Sequence, residues 1–386
     1  MSHDRSTVRL FDLLRASAFA SVLLLLASLA VQAQAPATLT PAERALADRV
    51  SEARLRTDLT YLASDELAGR ATPSPGQEAA ARYIAAAFQD AGLEPVGDEG
   101  YFQNSPWKTT TVERRGRTSR RLVPADQAPP EAEGPVITLR NVVGLLRGSD
   151  PVLRDEYVIV CAHYDHVGVR AGAGPDSIYN GADDNGSGTV TVMEMARALA
   201  ASEDRPRRSI LFIAWFGEEA GMLGASWYAA HPVVPLARTV AEVNLEMTGR
   251  TDGDGGDQTN RVSFTGFDFS DLPALFVPVG EAMGIEVFKH EQNSDRYFFA
   301  SDNIALARTG VVAHTISGLF EYPDYHQPGD EVSRIDFADM TRTARLLTVG
   351  VRRLADRDQP PAWNAAREQT APFIEAWRKL HGLITP

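Results

Sequence analysis

Short apolar runs that alternate with helical stretches dominate the chain from residue 136 onward. Each run is almost continuously apolar, which is typical of strands that are buried on both faces of a parallel sheet. The runs cover residues 157–162, 209–216, 240–245, 262–265 and 311–316, and the helical stretches cover 188–201, 220–230, 272–283 and 336–354. This order predicts an α/β fold with a central mixed, mostly parallel sheet flanked by helices.

The region before this alternation has fewer regular patterns. Residues 36–60 favour helix from Thr40, and residues 76–91 form an amphipathic pattern that Gly92 ends in the usual position after a helix. Residues 105–137 predict an irregular or hairpin excursion that is too short to have its own core. We therefore expect residues 36–386 to form a single domain, because α/β domains often reach this size.

The first 33 residues have the features of a secretory signal peptide. Arg5, Arg9 and Arg15 precede an apolar run at residues 16–31, and the small residues Ala33 and Ala35 follow it. The run is shorter than the ~20 residues that span a bilayer, which favours cleavage near Ala33 over a retained anchor. We expect an exported protein, periplasmic or secreted, with no stable membrane insertion after signal cleavage.

Charge and cysteine content exclude several classes of function. The 38 Lys and Arg residues against 51 Asp and Glu residues give a net charge of -13, which disfavours nucleic acid as a partner. Cys161 is the only cysteine, so an intramolecular disulfide, a zinc finger and a cysteine-held iron–sulfur cluster are excluded. An excess of carboxylates is instead compatible with binding of cations.

Polar residues gather where the predicted strands end, and ligands of open α/β sheets bind at the carboxyl ends of strands. Taken singly, these residues have ordinary explanations as turns, helix caps or first-turn carboxylates. Together they form a set of imidazole and carboxylate groups without thiolates, which suits Zn²⁺ or a similar divalent ion. They are His163 and Asp165, Asp183 and Asp184, Glu218 and Glu219, Glu246, and the later segment from Tyr325 and His326 to Asp330.

The order of these motifs resembles peptidase family M28, a family of zinc aminopeptidases and carboxypeptidases. The similar segments are residues 158–168, 180–188, 212–226, 244–249 and 325–330, and the leading segments 61–70 and 76–93 are also similar. The resemblance therefore extends from about residue 59 to residue 354. It implies the α/β fold of the zinc-dependent exopeptidases. We expect no protease-associated insert, because the excursion at residues 105–137 is too short for one.

The resemblance also implies two zinc ions per chain. His163 and Glu246 would be ligands of one ion, Glu219 and His326 would be ligands of the other, and Asp184 would bridge both ions. A shared carboxylate offsets the repulsion between two cations that lie ~3.5–4 Å apart. Asp165 would accept the imidazole N–H of His163 and so orient that ligand.

Glu218 is the expected general base, which takes a proton from the attacking water and delivers it to the leaving amine. Adjacent residues of a strand point to opposite faces, so Glu218 and Glu219 can both reach the site only if the chain turns at Gly217. Tyr325 is expected to donate its hydroxyl to the developing oxyanion.

Two residues depart from the family pattern. Glu246 occupies a position that is usually Asp, and Ala300 occupies a position where many members have Arg, a role that Arg296 could take over. Four other histidines are interpreted as structural or surface residues: His166, His231, His290 and His314.

We expect an aminopeptidase that acts on peptides, whose acidic pocket would pair with the α-ammonium group of the substrate. One alternative is a carboxypeptidase of the same fold, which would need Lys or Arg near the metals. Another is a glutaminyl cyclase-like acyltransferase with one zinc, and the last is a non-catalytic metal-binding domain. The sequence predicts no particular oligomeric state.

Overall fold

The computed structural model of the chain describes residues 37–114, 117–172, 174, 176–253 and 256–385. The predicted signal peptide, residues 1–33, lies outside the described residues. In the part of the chain that is described, no helix combines the length and the apolar character needed to cross a bilayer.

Among the described residues, ten strands form one mixed sheet. They are β1 Glu94–Pro95, β2 Phe102–Arg114, β3 Arg117–Pro124, β4 Glu133–Leu146, β5 Tyr157–His163, β8 Ser209–Trp215, β9 Thr239–Glu246, β12 Arg261–Phe264, β13 Glu286–Phe288 and β14 Ala313–Ser317. Their order in the sheet is β13-β12-β14-β9-β5-β8-β4-β2-β3, with β1 paired to β4. Two small hairpins lie outside it: β6 Gly168–Val169 with β7 Ile178–Tyr179, and β10 Asp252–Gly253 with β11 Gly256–Asp257.

Parallel pairing occupies the centre of the sheet, as the continuous apolar runs predict. Strand β5 pairs in parallel with both β8 and β9, and β9 pairs in parallel with β14. Residues 105–137, predicted as an irregular or hairpin excursion, contain the hairpin of β2 and β3, which together with β4 extends the sheet beyond β8 through long antiparallel pairs. Polar and charged residues along β2 and β3 obscure this extension in the sequence.

Helices cover the sheet, and the stretches predicted at 76–91, 188–201, 220–230, 272–283 and 336–354 are found to within a few residues, while the region predicted to be helical from Thr40 is divided into two helices. They are α1 Pro41–Ala47, α2 Glu52–Leu62, α3 Pro75–Asp90, α4 Gly188–Ala200, α5 Leu223–Ala230, α6 Pro273–Met283, α7 Ser294–Tyr297, α8 Asn303–Ala307, α9 Phe337–Asp356 and α10 Ala371–Leu380. Thr40 caps α1 through a reciprocal pair of hydrogen bonds with Glu43, and Gly92 follows α3 with a φ of +74°. The amphipathic helix α9 packs on α4 and α6, and α4 packs on β5 and β8.

Parallel register brings the carboxyl ends of the central strands to one edge of the sheet. His163 at the end of β5 lies opposite Trp215 of β8, and Glu246 at the end of β9 lies opposite Ser317 of β14. Loops that follow these strands therefore meet at one place, where the polar residues of the sequence motifs converge.

Candidate metal centre

Two groups of potential metal ligands lie at this edge of the sheet, and Asp184 belongs to both. In the first group, His163 Nε2 lies 3.4 Å from Asp184 Oδ1 and 3.3 Å from Glu246 Oε2. All three side chains are buried. The predicted ligands of the first ion are therefore brought together by the ends of β5 and β9 and the loop before α4.

The second group contains Glu219 and His326, as expected, together with Asp184. His326 Nε2 lies 3.0 Å from Asp184 Oδ2 and 2.9 Å from Glu219 Oε1. His326 has a φ of +52°, an uncommon conformation for a residue with a side chain. Such conformations are concentrated at functional sites, where the surrounding structure holds them.

His166 completes the second group, although we interpreted it from the sequence as a residue without a ligand role. Its Nδ1 lies 3.0 Å from Glu219 Oε1, and the side chain is buried beside the His326 ring. The sequence signal was present, because His166 follows His163 by three residues in the loop that leaves β5. The family motif that the segment resembles uses the first histidine as the ligand.

The arrangement of the donor atoms is more compatible with a metal ion bound between them than with hydrogen bonds among the side chains. His166 Nδ1, Asp184 Oδ2 and Glu219 Oε1 are buried and have no hydrogen-bond partner among the described residues. Ligands placed about 2.0–2.1 Å from a tetrahedral zinc are separated by roughly 3.3 Å, close to the separations seen in both groups. A buried set of carboxylates also requires cations to compensate its charge. Imidazole and carboxylate donors without thiolates suit zinc.

Asp330 holds the loop that carries Asp184. The carboxylate of Asp330 accepts hydrogen bonds from the backbone N–H groups of Asp183 and Asp184, each at 3.0 Å, and from the hydroxyl of Tyr322 at 2.9 Å. Asp183 itself points away and accepts the N–H of Gly249 at 2.7 Å. Burial beside Asp330 raises the pKa of Asp183 to about 8.

Asp165 lies near His163, but its contacts differ from the expected ones. The Nδ1 of His163 is 3.2 Å from the backbone carbonyl oxygen of Asp165 and 3.6 Å from its carboxylate, too far for a hydrogen bond. The carboxylate instead accepts hydrogen bonds from the backbone N–H of Glu218 and the hydroxyl of Thr72, both at 3.0 Å. Asp165 therefore positions the loop of Glu218, while its main chain orients His163.

Glu218 and Glu219 both reach the site because the chain turns between β8 and α5. Gly217 has a φ of +71°, a conformation that glycine adopts at little cost. The turn occupies the segment before Leu223, so α5 begins three residues later than the predicted helix at 220–230. Burial, with the nearby carboxylates of Asp302 and Glu246, raises the pKa of Glu218 well above its usual range.

A cavity of about 140 Å³ opens onto the first group of ligands. It contains three carboxylates, and none of its lining residues is Lys or Arg. Tyr325 lies at its edge, 42% exposed and stacked on the His326 ring at 4.1 Å between centroids. The lining residues are His163, Asp184, Glu218, Glu246, Met247, Thr265, Tyr297, Ala300, Ser301, Thr315, Ser317, Phe320 and Tyr325.

The two departures from the family pattern have structural counterparts. Glu246 Oε1 accepts a hydrogen bond from Ser301 Oγ at 2.7 Å, and Ser301 in turn accepts one from Asn244 at 2.8 Å. This chain of contacts steadies the longer side chain of Glu246. Arg296 does not line the cavity, since its guanidinium is exposed and lies 3.7 Å from Glu321.

The model of peptidase family M28 matches residues 141–350, more than half of the chain. The chain belongs to this family. Aminopeptidase YwaD of Bacillus subtilis is 27% identical over 230 residues, which cover 58% of this chain and 46% of that protein. The chain thus spans about half the length of the curated relatives it matches.

Several solved structures share the fold. The aminopeptidase from Aneurinibacillus sp. strain AM-1 aligns with a TM-score of 0.60 at 15% identity, covering 82% of this chain and 97% of that one. Porphyromonas gingivalis glutaminyl cyclase aligns with a TM-score of 0.55 at 15% identity, covering 78% and 98%. The likeness to both confirms the α/β architecture with its mixed sheet.

Proposed function

We propose that the chain is an exported zinc aminopeptidase that uses two ions and Glu218 as general base. The observation that carries this proposal is the cavity beside the first ligand group, whose charged lining consists of carboxylates. Carboxylate oxygens beside the ions can accept hydrogen bonds from a free α-ammonium group, and the lining has no Lys or Arg that could pair with the free carboxylate of a carboxypeptidase substrate. The relatives with aminopeptidase names support the same choice.

The chain's own residues can perform the proton transfers of peptide hydrolysis. Bound zinc ions supply an acidified water and polarise the scissile carbonyl. Glu218 lines the cavity and would take the proton of the attacking water, then pass it to the nitrogen of the leaving amine as the C–N bond breaks. Partial burial at the cavity edge, with the nearby carboxylates, raises the pKa of Tyr325, so its hydroxyl stays protonated and can donate to the developing oxyanion.

A substrate panel assayed with and without chelator tests this function. Aminoacyl anilides with a free amine should be hydrolysed, and N-acetylated counterparts should not. Chelation should abolish hydrolysis, and zinc should restore it. Release of the C-terminal residue from N-blocked peptides would show a carboxypeptidase, cyclisation of N-terminal glutamine would show an acyltransferase, and turnover that survives complete metal removal would overturn the proposal.

Export is proposed from residues 1–33, which have the pattern of a signal peptide. Expression of the full chain in a bacterial host, followed by mass spectrometry of the protein outside the cytoplasm, should give a mature N-terminus close to Ala33. Retention of the intact chain in the cytoplasm would contradict export.

A further inference from the structure

The two groups of metal ligands differ in the number of side chains that they offer. Asp184, His163 and Glu246 make three ligands, whereas Asp184, His166, Glu219 and His326 make four. Four protein ligands are typical of closed, structural zinc sites, and three are typical of catalytic sites that keep one position open. The two ions should therefore behave differently.

We propose that His166 makes the second site a closed four-ligand site, and that the open coordination position belongs to the ion held by His163 and Glu246. This inference rests on the proposed two-ion function and deepens it. It assigns a ligand role to His166 and divides the work of the two ions. The first ion would accept the reacting ligands, and the second would stay bound and hold Asp184, Glu219 and the His326 loop in place.

His166 is placed so that its Nδ1 can act as a ligand. Both ring nitrogens are buried without a hydrogen-bond partner in the described ranges, although Nδ1 lies 3.0 Å from Glu219 Oε1 and 3.8 Å from Asp184 Oδ2. A buried nitrogen left unpaired costs free energy. A cation between Nδ1 and these two oxygens would remove the cost at Nδ1.

The backbone around His166 leaves room for its ring. Gly181 has a φ of +58°, and a Cβ added there would lie 2.5 Å from His166 Cγ and 2.6 Å from Cδ2. Real Cβ atoms do not approach so closely, so a larger residue at position 181 would displace the ring. Arg70 fastens the same loop, because its guanidinium donates to the carbonyl oxygens of Asn180 at 2.7 Å and Gly181 at 3.0 Å.

The position of the cavity is an independent observation that the first ion is the one with an open coordination position. Its lining includes His163, Asp184 and Glu246, the three ligands of the first group. It does not include His166, Glu219 or His326. A substrate in the cavity would therefore meet the ion with three protein ligands, and that ion has the vacant coordination position that a substrate or water requires.

The test is a stepwise removal of zinc from the full chain, with zinc per chain measured by elemental analysis. Dialysis of the wild type against increasing chelator should release one ion first, giving a plateau near one zinc per chain at which turnover is already lost. His166→Ala and His166→Phe should abolish this plateau. The affinity of the second site should fall by at least the roughly 10–100-fold that loss of an outer-shell contact produces.

His166→Phe keeps a ring against Gly181, so circular dichroism of this variant in the metal-free state separates loss of a ligand from loss of folding. His314→Asn is the matched control, because His314 is also buried but its nitrogens contact Ser270 and the carbonyl oxygen of Thr265. This control should retain the plateau of the wild type. A plateau that persists unchanged in folded His166→Phe would overturn the assignment of His166.

Cobalt spectra of the wild type alone provide a second measurement. The first equivalent of Co²⁺ added to the metal-free chain should occupy the closed site and give visible absorption that azide does not change. The second equivalent should give absorption that azide shifts, because an anion can enter the open position. Azide sensitivity of the first equivalent would overturn the inference.

These outcomes separate the inference from the proposed function. A chain that binds no zinc, or that keeps its activity after all zinc is removed, would refute the function itself. A chain that binds two ions and loses activity on stripping, but releases both together, would refute only the division between a closed and an open site.

Discussion

At the scale of single residues, the role of each glutamate at the site depends on the groups that its backbone and its carboxylate contact. Glu218 has its backbone N–H bound to Asp165, which leaves its carboxylate free to line the cavity. Glu219, the next residue, faces His326 and His166 instead. Two adjacent glutamates thus have different surroundings, and only one of them is placed to exchange protons with a substrate.

Glu218→Gln should separate catalysis from metal binding. The amide has nearly the same shape but cannot take a proton, so kcat should fall by about 10²–10⁴-fold, the usual contribution of a general base. Zinc content should remain within error of the wild type. Glu281→Gln on the exposed surface of α6 is the control and should change neither quantity. Undiminished kcat in Glu218→Gln would remove this residue from the proposed mechanism.

His314 gives a pH-dependent contribution to stability away from the metal centre. Its Nδ1 donates to the carbonyl oxygen of Thr265 at 2.8 Å, and Nε2 lies 2.6 Å from Ser270 Oγ. Burial lowers the pKa of His314 to about 4 from the ordinary value of 6.5. The unfolded chain therefore binds the extra proton between pH 6.5 and pH 4, and the native state loses about 3 kcal/mol over that range.

His314→Asn should remove this dependence. Urea unfolding of the two metal-free proteins should show that the difference in free energy of unfolding, wild type minus variant, shrinks as the pH falls from 6.5 toward 4. The subtraction cancels the other titrating groups, which both proteins share. A difference that stays constant across this range would show that His314 does not titrate as proposed.

At the scale of elements, the central sheet was predictable and its extension was not. Strands β5, β8 and β9 are continuous apolar runs because both of their faces are buried, and their ends give the positions of His163 and Glu246. Strands β2 and β3 carry charged and polar residues and pair as a local hairpin, so nothing in their sequence shows that β2 also pairs with β4 and joins the central sheet. The helix α10 had no prediction, because nothing local distinguishes its amphipathic pattern from a solvated tail.

The site also has features that local sequence motifs predict and features that depend on residues far apart in the chain. Motif spacing brought five ligands and Glu218 to one edge of the sheet. The contacts of Asp165 could not be deduced in this way, because its carboxylate turns toward the N–H of Glu218, 53 residues further along the chain. His166 was missed because the spacing alone does not show that both neighbouring histidines, His163 and His166, point inward.

Arg70 joins the elements around the site and should be essential for their arrangement. Its buried guanidinium donates to the carbonyl oxygens of Leu62, Tyr164, Asn180 and Gly181. Arg70→Met leaves these oxygens and the nearby carboxylates uncompensated, which should cost about 3–5 kcal/mol of unfolding free energy. Zinc content should fall as well, because the loops on either side carry ligands.

Arg82→Met is the matched control for Arg70→Met. Arg82 forms an exposed pair with Glu78 one helical turn away, and such pairs contribute about 0.3–0.5 kcal/mol. Urea unfolding and elemental analysis of both variants measure the two effects. Arg70→Lys should lie between them, because a compact ammonium has three donors and cannot reach four separate carbonyls. Equal stability of the Met variants would contradict the organising role of Arg70.

At the scale of the whole molecule, the metal ligands join segments that are distant in the chain. They range from His163 to His326 and follow different strands of the sheet. An unfolded chain cannot hold them together, so the ions bind the native state and their binding free energy adds to its stability. The chain has a net charge of -13, and ions placed among buried carboxylates also relieve local repulsion.

The midpoint of thermal unfolding should therefore rise with the logarithm of free zinc concentration. Each ion should add about 4 kcal/mol when its free concentration is 1,000 times its dissociation constant. Calorimetry at graded, buffered zinc concentrations measures this rise. Mg²⁺ is the control ion, since it prefers six oxygen ligands and should raise the midpoint far less. Asp184→Ala should flatten the zinc dependence, because Asp184 is the one ligand that both groups share. A midpoint that is the same with and without zinc would mean that the converging side chains do not bind the metal in the native state.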